Sequence, residues 1–98
     1  MTDLRFEWDE RKDLENRRKH GISFEEARSV FGDENALLIG DPDHSGEEDR
    51  FVLVGFSFLL RVLVVCHCYR EAESVLRIIS ARKANKRERD AYAKRSGD

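Results

Sequence analysis

The spacing of apolar positions changes several times along the chain, and each change marks an element. Leu4-Arg-Phe-Glu-Trp8 alternates apolar with charged residues, the period of a short, half-exposed edge strand. Asp9 offers an N-cap, and Asp9 to His20 is compatible with a helix but almost wholly charged, with Leu14 as its one aliphatic anchor. Gly21 supplies the left-handed residue that ends it. Ser23 opens a second helix, with Glu26 completing a capping box, and Phe24, Ala27, Val30 and Phe31 form the stripe that packs it on a sheet before Gly32 closes it.

Ala36 to Gly40 reads as a short strand, and Asp41-Pro-Asp-His-Ser-Gly-Glu-Glu-Asp49 as a solvated acidic loop. Arg50 to Phe56 is a strand, Ser57 to Leu60 a turn without the usual Gly, Asn or Asp, and Arg61 to about Tyr69 the next strand. Arg70 to Ser74 closes a further hairpin before a last strand, Val75 to Ala81, and a basic helix, Arg82 to Arg95. On that helix Ala84, Glu88, Ala91 and Tyr92 form a narrow face toward the sheet, leaving Lys86, Arg87, Arg89, Lys94 and Arg95 in solvent. The order is β-α-α-β-β-β-β-α with three hairpin-length connections in succession. It predicts an α+β fold, an antiparallel sheet with helices on one side, and a length of 98 residues makes it one domain over 1–98.

Composition narrows the setting. The start has no continuous apolar stretch of signal-peptide type, and the longest apolar run, Phe51 to Cys66, is broken by Arg61, so a cytoplasmic protein without a membrane span is expected. Cys66 and Cys68 lie two apart in a strand, too far apart for an easy bridge, and no second Cys/His pair completes a zinc site. His44 among the acids of 41–49 is weak as a metal centre, and no metal or cofactor is expected. The formal charge of −2 hides an asymmetry: residues 1–50 hold 8 Lys/Arg against 15 Asp/Glu, and residues 51–98 hold 10 against 5. A polyanion would be drawn to the second half and a cationic partner to the first.

The candidate chemistry lies between Val62 and Lys83. His67 and Tyr69 share a strand face with Leu63 and Val65, and Arg70 at the strand end can turn toward them. Arg77 and Arg82 fall on opposite faces if the last strand is regular. Cleaving RNA needs a base for the 2′-OH proton, cations for the phosphorane and an acid for the leaving oxygen. His67, with an ordinary pKa near 6.5, suits proton transfer, and Arg70 and Arg82 suit phosphate. The plainer reading is a structural histidine with arginines paired to acids such as Glu71 or Glu73.

Phe6-Glu-Trp-Asp9, Lys19-His-Gly-Ile-Ser-Phe-Glu-Glu-Ala27, Val65-Cys-His-Cys-Tyr-Arg70 and Arg77-Ile-Ile-Ser-Ala-Arg-Lys-Ala84 together resemble the BrnT family of bacterial type II toxins, from Phe6 to about Tyr92. The resemblance implies a RelE-like fold and a metal-independent endoribonuclease that arrests translation. It also implies neutralisation by a BrnA-type antitoxin in a dimeric assembly that reaches operator DNA through the antitoxin and represses its own operon. Carried over residue by residue, it implies His67, Arg70 and Arg82 as catalytic, with Lys83, Ser80, Arg77 and Tyr92 as RNA-binding candidates. Two departures stand out: Ser57-Phe-Leu-Leu-Arg61 lacks the expected glycine turn, and Cys66 and Cys68 replace aliphatic or hydroxyl side chains. The alternative is a non-catalytic module of the same fold that holds an antitoxin or DNA-binding partner.

Overall fold

A computed structural model describes residues 4–40, 50–70, 72 and 74–97. The chain forms β1 (Arg5–Glu7), α1 (Glu10–His20), α2 (Phe24–Ser29) running into a 3₁₀ turn (Val30–Gly32), β2 (Leu37–Gly40), β3 (Phe51–Phe56), β4 (Val62–Arg70), β5 (Val75–Lys83) and α3 (Lys86–Gly97). One mixed sheet holds the strands in the order β1-β5-β4-β3-β2. The wholly antiparallel expectation fails at one edge, because β1 pairs parallel to β5. α1, α2 and the strands β2 to β4 all lie between those two strands in sequence, ample length for the crossover that a parallel pair requires.

The helices occupy both faces instead of one. Leu53, Leu63, Val65, Leu76, Ile78 and Ala81 pack with Ile22, Phe24, Ala27 and Val30 on the face covered by α1 and α2. Val54 and Val64, of opposite parity, pack with Ala84, Val52, Val62 and Tyr92 on the other face, beneath α3. The last strand continues through Arg82 and Lys83, paired with Val64 and Leu63, and the helix starts only at Lys86. Asn85 explains that start: its Oδ1 accepts from the Glu88 N–H at 2.8 Å while Glu88 Oε1 accepts from the Asn85 N–H at 2.8 Å, a reciprocal cap.

α1 is held by polar groups. Leu14 is 54% exposed, whereas Asp13 and Asn16 are buried. β1 covers only Val75 to Arg77 of β5, and Asn16 takes over the uncovered edge by accepting from the Ala81 N–H at 3.1 Å and donating to the Ala81 carbonyl at 2.8 Å. The same amide donates to the Ile22 carbonyl, and Asp13 accepts from the Phe24 N–H, each at 2.8 Å. Each such buried backbone group left unpaired would cost about 1–3 kcal/mol. Gly21, at φ 73°, ends α1 as its sequence position predicts.

The turn between β3 and β4 closes without glycine by placing Leu60 in the left-handed region at φ 62°. Glu26 holds it. Ser23 caps α2 by accepting from the Glu26 N–H at 3.0 Å, but the Glu26 carboxylate does not return to it. It instead accepts from Arg61 Nε and Nη2 at 2.7 and 2.6 Å and from the Ser57 hydroxyl at 2.7 Å. Gly55 is required nearby, since a Cβ there would lie 2.8 Å from Val30 Cγ1. The acidic segment 41–49, with His44, lies outside the described residues.

Candidate nucleic-acid interface

The register of β4 on β5 decides which candidate residues meet. Val64 pairs with Arg82, Val65 with Ala81 and Cys66 with Ser80, but His67 pairs with Ile78 and Cys68 with Arg77. Ile79 is therefore an extra residue, a bulge that restores Arg77 and Arg82 to one face when regular alternation would part them. Arg70, two residues beyond Cys68, shares that face. A row of Arg77, Ser80 and Arg82 runs along β5, with Arg70 beside its Arg77 end on β4. Arg70, Ser80 and Arg82 are exposed and Arg77 is half-buried.

Carboxylates from two other elements steady this row. Glu7 of β1, in register with Arg77, accepts from Arg77 Nη1 at 2.9 Å through Oε2, and Arg70 Nε lies 3.8 Å from the same oxygen. At the far end, Glu88 of α3 accepts from Arg82 Nη1 and Nη2 at 2.8 and 2.7 Å. Its hydrogen bonds hold the Arg82 pKa above the usual arginine value, and Arg82 in return holds the Glu88 carboxyl below the usual range. Arg70 and Arg82 do not converge. Arg70 lies six residues along β4 from Val64, the partner of Arg82, a distance of roughly 20 Å at 3.3 Å per residue. The two guanidinium groups therefore stand at opposite ends of the row.

His67 stands on the other face. Its parity groups it with Leu63 and Val65, and it is 0% exposed. The ring lies edge-on to Phe31 at 4.8 Å and to Tyr69 at 5.5 Å, with Phe51 at 6.1 Å. Burial lowers its pKa, the Val65 carbonyl 3.3 Å from Nδ1 opposing only in part. Nε2 has no partner among the described residues. The sequence lets Arg70 turn toward the His67 side, but here its Nε lies 3.8 Å from Glu7, on the opposite surface of the sheet.

That burial has a measurable consequence. Below the unfolded-state value near 6.5 the unfolded chain takes a proton that the folded ring refuses, so stability falls as pH drops from 6.5 toward the folded pKa, by at most about 1.4 kcal/mol per pH unit. His67→Leu, which removes the unpaired nitrogen at similar volume, is expected to abolish that component. Thermal melts of wild type and variant at pH 7.5 and 5.5 should show the wild type losing more.

The two remaining candidates part from the row as well. Lys83 pairs with Leu63 and so projects to the opposite side from Arg82, toward Glu26, whose ionisation it favours. The Tyr92 hydroxyl donates to Asp33 Oδ2 at 2.5 Å while its ring stacks on Phe56 at 6.4 Å, fastening α3 to the sheet. Burial, with the Asp33 carboxylate second, pushes the Tyr92 pKa up to about 12. Burial raises the Asp33 carboxyl in turn, but hydrogen bonds from Tyr92 and from the Phe56 and Asn35 N–H groups outweigh it and hold the pKa low.

With this geometry in place, comparison with known proteins is decisive for kinship. The family model described as "Ribonuclease toxin, BrnT, of type II toxin-antitoxin system" matches residues 8–88. The chain belongs to the BrnT family. The fold is also that of the Brucella abortus ribonuclease toxin BrnT, solved by crystallography at 1.1 Å: the TM-score is 0.61 at 24% identity, covering 88% of this chain and 100% of that one. No curated protein matches. The BrnT family match includes Arg70, Arg77, Ser80, Arg82 and the Glu88 that holds Arg82, and it ends before Tyr92. Sequence reasoning gave Glu7 no role, although its place among alternating residues beside a basic strand signalled a cross-strand pair. The Asn85-Lys-Arg-Glu88 cap was equally readable and would have ended β5 two residues later.

Proposed function

We propose that this BrnT-family chain is an endoribonuclease that cleaves RNA by 2′-OH attack without a metal, arresting translation in the cytoplasm. The observation that carries the reading is the row Arg70, Arg77, Ser80 and Arg82 on one face, in a family of ribonuclease toxins. Guanidinium forks bind phosphate oxygens in pairs and supply the positive charge that a phosphorane needs. Arg82 keeps donors for a phosphate, because its bonds to Glu88 and to the Lys83 carbonyl use three N–H groups of the five a guanidinium carries. Arg70 is 54% exposed, and its contact with Glu7 is a loose 3.8 Å, which suits a side chain that moves onto a phosphate.

The same reading gives the chain a RelE-like fold and a BrnA-type antitoxin as its partner, in a dimeric assembly that reaches operator DNA through the antitoxin. A cationic antitoxin segment suits the acid-rich residues 1–50, and an acidic one would cover the arginine row directly. Charge reversals on both halves, scored by the salt dependence of antitoxin binding, separate the two.

Purified protein is expected to cut single-stranded RNA in EDTA, leaving 2′,3′-cyclic phosphate ends, and to leave the 2′-deoxy analogue intact. Cleavage that requires an added divalent ion, or that cuts the 2′-deoxy strand, would overturn the mechanism. Failure to cut any RNA while the antitoxin still binds would favour the non-catalytic module.

A further inference from the structure

We infer that Glu7 is the general base of the ribonuclease, a role that rests on the reading above and identifies a proton acceptor within it. Proton transfer needs a titratable group on the same face as the cations. His67 cannot serve from the opposite face, fully buried beneath Phe31, Phe51 and Tyr69. Among the described residues two carboxylates border the arginine row, Glu7 and Glu88. Glu88 has both oxygens committed, Oε1 to Arg82 and the Asn85 N–H and Oε2 to Arg82. Glu7 differs. Its contacts with Arg77 and Arg70 both fall on Oε2, so among the described residues Oε1 is left for a proton.

The surroundings suit a base. Glu7 side-chain exposure is 39%, enough for a ribose hydroxyl to approach. The two guanidinium groups that flank it at 2.9 and 3.8 Å stand where a phosphate beside that ribose would find its cations. In the cleavage step, Glu7 Oε1 takes the 2′-OH proton as the 2′ oxygen bonds to phosphorus. The bond from phosphorus to the 5′ oxygen breaks, and that oxygen leaves with a proton from solvent. The products are a 2′,3′-cyclic phosphate and a 5′-hydroxyl, and Glu7 returns its proton to water.

A cross-strand ion pair that merely anchors the three-residue β1 would use the same contacts, so the test separates the two roles. Glu7→Gln preserves shape and an oxygen that can accept from Arg77, and Glu7→Asp preserves a carboxylate. Single-turnover cleavage should fall at least about 100-fold in Glu7→Gln, with the acid limb of its pH profile lost. Affinity for a 2′-deoxy RNA and the melting temperature should change little, and Glu7→Asp should regain part of the rate and the limb. Cleavage by Glu7→Gln near the wild-type rate would overturn the inference while leaving the ribonuclease reading intact. So would a loss that tracks melting temperature with the acid limb retained. A wild-type protein that cuts no RNA would remove both.

Discussion

Arg61→Ala is expected to destabilise the protein by about 3–5 kcal/mol, because it leaves the Glu26 carboxylate buried without its cation. Glu26 is 2% exposed, and both of its oxygens receive N–H donors from Arg61, with the Ser57 hydroxyl as a third donor. For a domain of this length the melting temperature should drop by more than about 10 °C. The pH dependence identifies the cause. Arg61, above all, holds the Glu26 pKa below its ordinary value of 4.5, so the pair's contribution is complete above 4.5 and is lost as pH falls through the folded value. In Arg61→Ala burial, the largest influence left, favours the protonated acid against the weaker pull of the Ser57 hydroxyl and Lys83, so the gap between wild type and variant should narrow in acid. Adding Glu26→Leu should recover most of the loss, since an apolar replacement has no charge to desolvate. Urea unfolding of the single and double variants at pH 7 and 4 checks all three statements.

The largest effect on activity is expected at Arg70. If its guanidinium neutralises the phosphorane beside Glu7, Arg70→Ala should lower the single-turnover rate about 10²–10³-fold while leaving melting temperature nearly unchanged, because the side chain is 54% exposed and its ion pair among the described residues is the 3.8 Å contact with Glu7. Arg82, roughly 20 Å away along the sheet, should behave differently. If Arg82 holds a phosphate as proposed, Arg82→Gln should remove a charged contact worth about 1.5–3 kcal/mol, so RNA should bind about 10–100-fold more weakly with a smaller effect on the bound-state rate. The slope of log affinity against log salt should also decrease by about one. Pairing each variant with a cleavable RNA and its 2′-deoxy analogue separates rate from binding.

Much of the fold was legible in the residues. The alternation in Leu4 to Trp8, the cap at Ser23 and Gly21 after a charged helix all mark elements that the structure contains. Positions within elements were harder to read. Nothing in the period of Val75 to Lys83 announces that Ile79 is skipped by the ladder, yet that one residue decides that Arg77 and Arg82 share a face. α1 is similar: a charged helix looks solvated, and only tertiary structure shows that Asp13 and Asn16 face inward to pair backbone groups. The burial of His67 was legible only in part, since strand parity places it with Leu63 and Val65 whichever role it has. That parity was the signal for its burial. The pairing of Glu7 with Arg77 was missed because Glu7 lies seventy residues from Arg77, joined only by the parallel pairing of β1 with β5.

The central claim is that RNA is cut on the arginine face and not on the face that holds His67. Its most direct test is one single-turnover cleavage assay on wild type, Arg70→Ala and His67→Leu, each shown by thermal melting to be folded. The expected result is at least about a 100-fold loss in Arg70→Ala and a rate within a few-fold of wild type in His67→Leu. Abolished cleavage in a folded His67→Leu protein, with Arg70→Ala still active, would contradict it.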